Sequence, residues 1–247
     1  SLLPTHAMAS KAGNRPERSA PADRFYDQRE AVRYEKNARM AQIQTQLAQR
    51  ALHLLGIPQG QRALLLDVGC GTGFGGRVLE RAGHAWMGTD VSMDMLAAGG
   101  QPGLRSDHLC HDMGCFLPFR AGMFDGAISI SAVQWLCVAT RPGHEPGRRL
   151  HAFMSGLRRC LRPGARAVLQ FYPEDPAQMD MVRAAALRCS FTGKLVTDYP
   201  LSEAAKKFFL VLTAPKHGPR PQSRGAANGR RANTGKVAAA AGAAMPA

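Results

Sequence analysis

The sequence predicts an α/β fold: a mostly parallel, doubly wound sheet of seven strands with helices on both faces. Two observations carry this. Short apolar runs alternate with stretches of helical periodicity through the middle of the chain, the pattern that strand–helix–strand crossovers produce. The first run, LLLDV at 64–68, passes directly into GCGTGFGG at 69–76, a strand-to-helix turn that bares its backbone to a ligand. A length of 247 residues suits one such domain with a flanking segment at each end.

The elements follow in order. Residues 1–24 are rich in Pro, Ala, Ser and charge without an apolar period and read as disordered. Over 31–55, Val32, Met40, Ile43, Leu47 and Leu54 recur at helical spacing, and Gly56 with Pro58 stops the helix. A buried strand at 63–68 leads to a helix reaching residue 82, and a second strand at 84–89 ends at Asp90. Ser92 caps a short helix beginning near Met93. A weaker strand covers 104–111 and a fourth, FDGAISIS, covers 124–131. A helix at 147–160 is closed by Arg162, Pro163 and Gly164; a strand at 166–172, a helix at 176–189 and strands at 194–199 and 208–213 complete the domain, 25–214. From 215 to 247 there is no acid and there are six Lys or Arg, so this part reads as a disordered, basic, Ala- and Gly-rich tail.

A formal net charge of +14 favours an anionic partner, nucleic acid before a membrane surface, because neutralising phosphates drives such binding. Arg148, Arg149, Arg158, Arg159, Arg162, Arg166, Lys206 and Lys207 are candidates for an RNA-facing patch, the alternative being solvated helix faces. The six cysteines form no C-x-x-C pair and read as thiols of a reducing compartment, and no metal site is expected. No apolar run is long enough to span a bilayer and no secretory signal opens the chain, so nucleus or cytosol is expected and no membrane partner.

Gly69, Gly71 and Gly73 let amides approach a ligand where a Cβ would collide. Gly71-x-Gly73-x-x-Gly76, with Asp90 downstream, satisfies the dinucleotide spacing, although its register starts late, four residues beyond Asp67. The string DVGCGTG, with an acid before the first glycine, resembles the first motif of the S-adenosylmethionine-dependent methyltransferases with a Rossmann-like sheet. That resemblance implies S-adenosylmethionine as cofactor and gives each residue a place. Asp67, Gly69, Gly71 and Gly73 lie at the cofactor's amino-acid end, Asp90 takes the ribose hydroxyls, and Asp112 with Met113 lies by the adenine.

Five stretches narrow the resemblance: the glycine loop, FYDQREAVRYEKNARMAQIQTQLAQRAL at 25–52, FDGAISISAVQWLC at 124–137, RAVLQFYPED at 166–175 and DYPLSEAAKKFFLVL at 198–212. Over 24–215 the chain is similar to the eukaryotic small-subunit rRNA guanine-N7 methyltransferases. The resemblance implies methyl transfer to N7 of a guanosine in 18S rRNA of the pre-small ribosomal subunit. It also implies a small zinc-binding activator protein as partner, and residence in nucleus and cytoplasm. Guanine N7 carries a free lone pair, so alignment and water exclusion suffice and no general base is required.

A splayed-out target base needs an aromatic wall. Trp135, just past the fourth strand, is the candidate, with a core indole as the alternative. Gln134 is placed to bond a base edge or a loop carbonyl, and Tyr34 and Asn37 to close over the cofactor or simply to serve as helix packing and surface. The third strand is expected at a sheet edge, where Leu104, Leu109 and Cys110 invite strand addition by the activator while Arg105, Asp107 and His108 discourage it. Two stretches depart from the family pattern, the tail after Pro215 and Cys115-Phe116 in the loop after the third strand. Three rival readings stand beside this one: a methyltransferase for a small molecule or protein, a non-catalytic assembly scaffold, and a nicotinamide oxidoreductase.

Overall fold

The computed structural model describes residues 15–100, 107–202 and 205–216. The elements in chain order are α1 (Pro16–Ser19), α2 (Ala22–Phe25), α3 (Gln28–Lys36), α4 (Ala38–Leu55), β1 (Leu64–Val68), α5 (Phe74–Arg81), β2 (Ala85–Asp90), α6 (Met93–Gly99), β3 (Asp107–Cys110) and β4 (Phe124–Ile130). A 3₁₀ turn at Val133–Leu136 precedes α7 (Pro146–Cys160), β5 (Leu161–Phe171), α8 (Pro176–Arg188), β6 (Thr192–Asp198) and β7 (Lys207–Thr213). Among the described residues, no helix is long and apolar enough to cross a membrane.

Side-chain alternation builds two layers on the sheet. Leu65 and Leu66 are adjacent, fully buried and on opposite faces, as the two-residue strand period requires. Leu66, Val68, Ala127 and Leu169 join one core with Leu150, Phe153 and Leu157 of α7 and Val182 of α8. Leu65, Ile128, Val168 and Phe209 join the other with Leu47 and Ala51 of α4 and Leu79 of α5.

The sheet order is β3-β2-β1-β4-β5-β7-β6. The pairs from β3 through β5 are parallel. The chain runs outward from β1 to β3 and then returns to the other side of β1, so the order reverses between β1 and β4 and opens a crevice at the strands' carboxyl ends. The last strand does not extend the parallel set: β7 inserts between β5 and β6 and runs antiparallel to both.

Two local expectations are corrected. The stretch expected as one helix over 31–55 is two, because Asn37 adopts extended backbone and its side chain accepts a bond from the Met40 amide, capping α4. The disorder expected through residue 24 fails for 16–24, which forms α1 and α2 and is tied down by Arg15, which donates to the carbonyls of Tyr172 and Pro173, and by Arg18, paired with Glu174. The third strand is described over Asp107–Cys110; Leu104 and Arg105 lie outside the described residues, as do 1–14 and the tail from 217.

Candidate active site

The strand ends, the glycine turn and the N-terminal helices enclose one large cavity of about 1700 Å³ at the topological crevice. Asp67, Gly69, Gly71, Asp90, Asp112, Met113, Gln134 and Trp135 all line it, so of the residues assigned to the cofactor and the base only Gly73 does not.

The glycine turn explains itself residue by residue. Gly69, Gly71 and Gly73 have φ of +73°, +55° and +85°, a region that side chains rarely adopt. At Gly69 a Cβ would also lie 2.3 Å from the Ala132 Cβ. Gly73 lines no cavity because it is the N-cap of α5, where it sets the turn. Gly76, the last glycine of the dinucleotide-like spacing, has a packing role instead: a Cβ there would stand 2.0 Å from the Trp86 ring.

Asp67 closes β1 at 1% exposure, and its Oδ2 has no hydrogen-bond partner. Burial, and then the nearby Asp90 charge, push its carboxyl up to about 7 against a lowering contact from the Gly76 amide. A buried, unpartnered acceptor in a cavity wall suits a cationic ligand group. Asp90 closes β2 and accepts the Gly71 amide at 2.8 Å on Oδ2 and the Ser92 amide at 2.9 Å on Oδ1, so one carboxylate pins the glycine turn to the start of α6. Burial raises its pKa, and the amides of Ser92, Gly71 and Val91 oppose the rise. Each oxygen retains a second acceptor site for a hydroxyl. Thr89 Oγ1 and His111 Nε2, also on residues lining the cavity, are buried without partners; neither was singled out from sequence.

Asp112 is held more tightly than sequence suggests. Its oxygens accept from Arg149 at 2.6 and 2.8 Å, and Oδ1 also takes the Gly114 amide at 2.8 Å. Arg149 therefore belongs to the cavity wall and not to an exposed basic patch. Other members of that expected patch are likewise engaged: Arg148 pairs with Glu145, Arg159 lies over the Phe116 ring, Arg162 pairs with Asp125, and Arg166 donates to the carbonyls that end α4. Lys207 sits 5.5 Å from the Tyr172 ring centroid.

At the other end of the cavity, Trp135 is 8% exposed, and the rings of Phe25 and Tyr26 each lie 5.8 Å from it. Tyr34 packs against Tyr26 and Phe74, whereas Asn37 serves as a helix cap. Gln134 Nε2 donates to the Ser131 carbonyl at 2.8 Å, and its Oε1 is buried without a partner. Sequence reading missed the residues behind it. Ser131, at φ +56°, donates through its amide and its hydroxyl to Gln170 Oε1, and Gln44 reaches the same hydroxyl.

Comparisons with known proteins identify the family. A family model described as a methyltransferase domain matches residues 66–169. The chain is 50% identical over 205 residues to the mouse 18S rRNA (guanine-N(7))-methyltransferase, covering 83% of this chain and 73% of that protein. It is 47% identical over 213 residues to a probable 18S rRNA (guanine-N(7))-methyltransferase of Dictyostelium discoideum, covering 86% of this chain and 74% of that one. Among solved structures, the complex between the Haloferax volcanii Trm112 methyltransferase activator and a putative methyltransferase matches with a TM-score of 0.53 at 17% identity, covering 75% of this chain and 98% of that chain, which shows the shared fold. The nicotinamide reading falls with these matches, because they and the late glycine register point to the same methyltransferase sheet. The chain belongs to the 18S rRNA (guanine-N7)-methyltransferase family.

Proposed function

We propose that this chain transfers a methyl group from S-adenosylmethionine to N7 of a guanosine in 18S rRNA during small-subunit maturation. The observation that carries the reading is the conjunction at one cavity of an unpartnered Asp67 carboxylate oxygen, a glycine turn held at positive φ, and an aromatic wall at Trp135. The residues fit the cofactor. Asp67 would meet its ammonium, Asp90 its ribose diol, and Asp112 with Met113 its adenine. Bound there, S-adenosylmethionine supplies a sulfonium methyl that is already electrophilic.

The chain's own task is alignment. N7 needs no deprotonation, so the protein contributes by holding the guanine plane against Trp135 and by keeping water from the reacting atoms. Phe25 and Tyr26 now occupy the face of Trp135, so a base that stacks there displaces one of these rings. The N-terminal segment is thus both lid and placeholder.

The partner reading rests on the sheet edge. Among the described residues β3 pairs only with β2, and Asp107, His108 and Cys110 on it are exposed. Strand addition there by a small zinc-binding activator would cover this edge, and residence in the nucleus with passage to the cytoplasm follows from the substrate. The test is methyl transfer from labelled S-adenosylmethionine to small subunits that lack the modification, using the chain co-expressed with that activator. Label at guanine N7 is expected. Cofactor binding without label would favour an assembly scaffold.

A further inference from the structure

The amide orientations behind Trp135 are fixed by groups that have no choice of role. The Ser131 amide donates to the Gln170 main-chain carbonyl at 2.9 Å and faces the Gln170 side chain at 3.1 Å; because it can only donate, the side-chain atom it faces is the carbonyl oxygen. The Ser131 carbonyl can only accept, so the Gln134 atom 2.8 Å from it is the amide nitrogen. Ser131 itself stands in the left-handed region at φ +56°, a conformation costly for serine that two donations to Gln170 hold in place. Gln170 is fully buried. Gln134 consequently has its nitrogen spent and its oxygen left over, 92% buried by residue and without a partner at the cavity wall beside Trp135.

We propose that Gln134 is the specificity-determining residue for guanine, offering an obligate acceptor to the N1–H and N2–H edge, and that Gln170 is the positioning residue that sets this polarity through Ser131. Adenine presents a lone pair at N1, and an acceptor that cannot turn over rejects it. A site built to hydrogen-bond one edge discriminates far more strongly than an apolar slot, because a mismatch leaves buried polar groups unpaired. Glutamate at position 170 keeps the acceptor for Ser131. The inference rests on the reading of Trp135 as the base wall.

The experiment is equilibrium binding of GMP, IMP and AMP to the chain–activator complex saturated with S-adenosylhomocysteine, followed by ligand-observed NMR. Wild type should prefer GMP to AMP by about tenfold, with IMP nearer GMP because it keeps N1–H. Q134L and Q170L should bring the GMP:AMP ratio to within about twofold while affinity for S-adenosylhomocysteine holds; Q170E should keep the preference. A merely structural role for Gln170 would lower stability and leave the ratio alone. Should Q170L fail to fold, Q134L decides the acceptor, and Q170E carries the test of Gln170. A GMP preference that persists in Q134L overturns the proposal and leaves the base wall standing. Nucleotides that fail to bind wild type, or bind equally well to W135A, overturn the base wall and the proposal with it.

Discussion

The two ends of the cavity are built differently. At the proposed cofactor end the frame is backbone: a glycine turn between β1 and α5, pinned by the Asp90 carboxylate that closes the neighbouring strand. At the base end it is side chains gathered from far apart in the chain, with Phe25 and Tyr26 on Trp135, and Gln44 and Gln170 converging on Ser131. A backbone-built site is set by short-range spacing and tolerates little change, whereas a side-chain-built site can be altered one residue at a time.

That contrast orders the expected effects. Asp90→Ala should be the most severe, because it removes both acceptors of the proposed ribose contact and also orphans the Gly71 and Ser92 amides. Cofactor affinity should fall by about 2–4 kcal/mol in calorimetry, and an unchanged affinity would remove Asp90 from the site. Gly76→Ala forces a Cβ to 2.0 Å from the Trp86 ring and should cost about 1–3 kcal/mol of stability in denaturant unfolding.

Next comes Asp67. Its raised carboxyl pKa means that the stability it contributes is fully present below the ordinary carboxylate pKa and is lost as pH rises through about 7. A cationic ligand group needs the ionised form, so S-adenosylhomocysteine affinity should weaken as pH falls below about 7, approaching about tenfold per pH unit. Asp67→Asn should flatten that profile; a steep profile surviving in the variant would assign it to another group.

On the base side, Phe25→Ala removes one ring from Trp135 and should cost about 0.5–1.5 kcal/mol of lid closure, read as faster hydrogen exchange over 16–26 with cofactor affinity nearly unchanged. The smallest effect is expected at Gly147, in the first turn of α7 with open space where a Cβ would go. Ala there should be neutral or stabilise by about 0.5–1 kcal/mol. A destabilised Gly147→Ala would indicate that something covers this helix end.

The same contrast explains what could be read from sequence. The cofactor end was legible because its constraints are local: an acid, then glycines at fixed spacing, then an acid closing the next strand, all within 67–90. Trp135 and Gln134 were within reach because they directly follow a strand end. Gln170 and Gln44 were not, since each lies in an otherwise ordinary strand or helix and acquires a role only when the sheet brings it to Ser131. Charge misled at Arg149, because composition cannot distinguish a guanidinium facing solvent from one that grips Asp112 across 37 positions of sequence. The helices at 16–25 were missed for the same reason, their order coming from ion pairs and carbonyls at 172–174.

The position of β7 bears on how the chain is made. The strand that fills an interior place in the sheet is the last element of the domain to be synthesised. Until residues 207–213 arrive, β5 lacks one neighbour and β6 has no partner, so a nascent chain carries open hydrogen-bonding edges beside a nearly complete core. Shortening the chain to end before Lys207 should therefore turn a soluble product into an aggregating one, and the interval between emergence of β5 and emergence of β7 is when the nascent chain most needs protection by a chaperone.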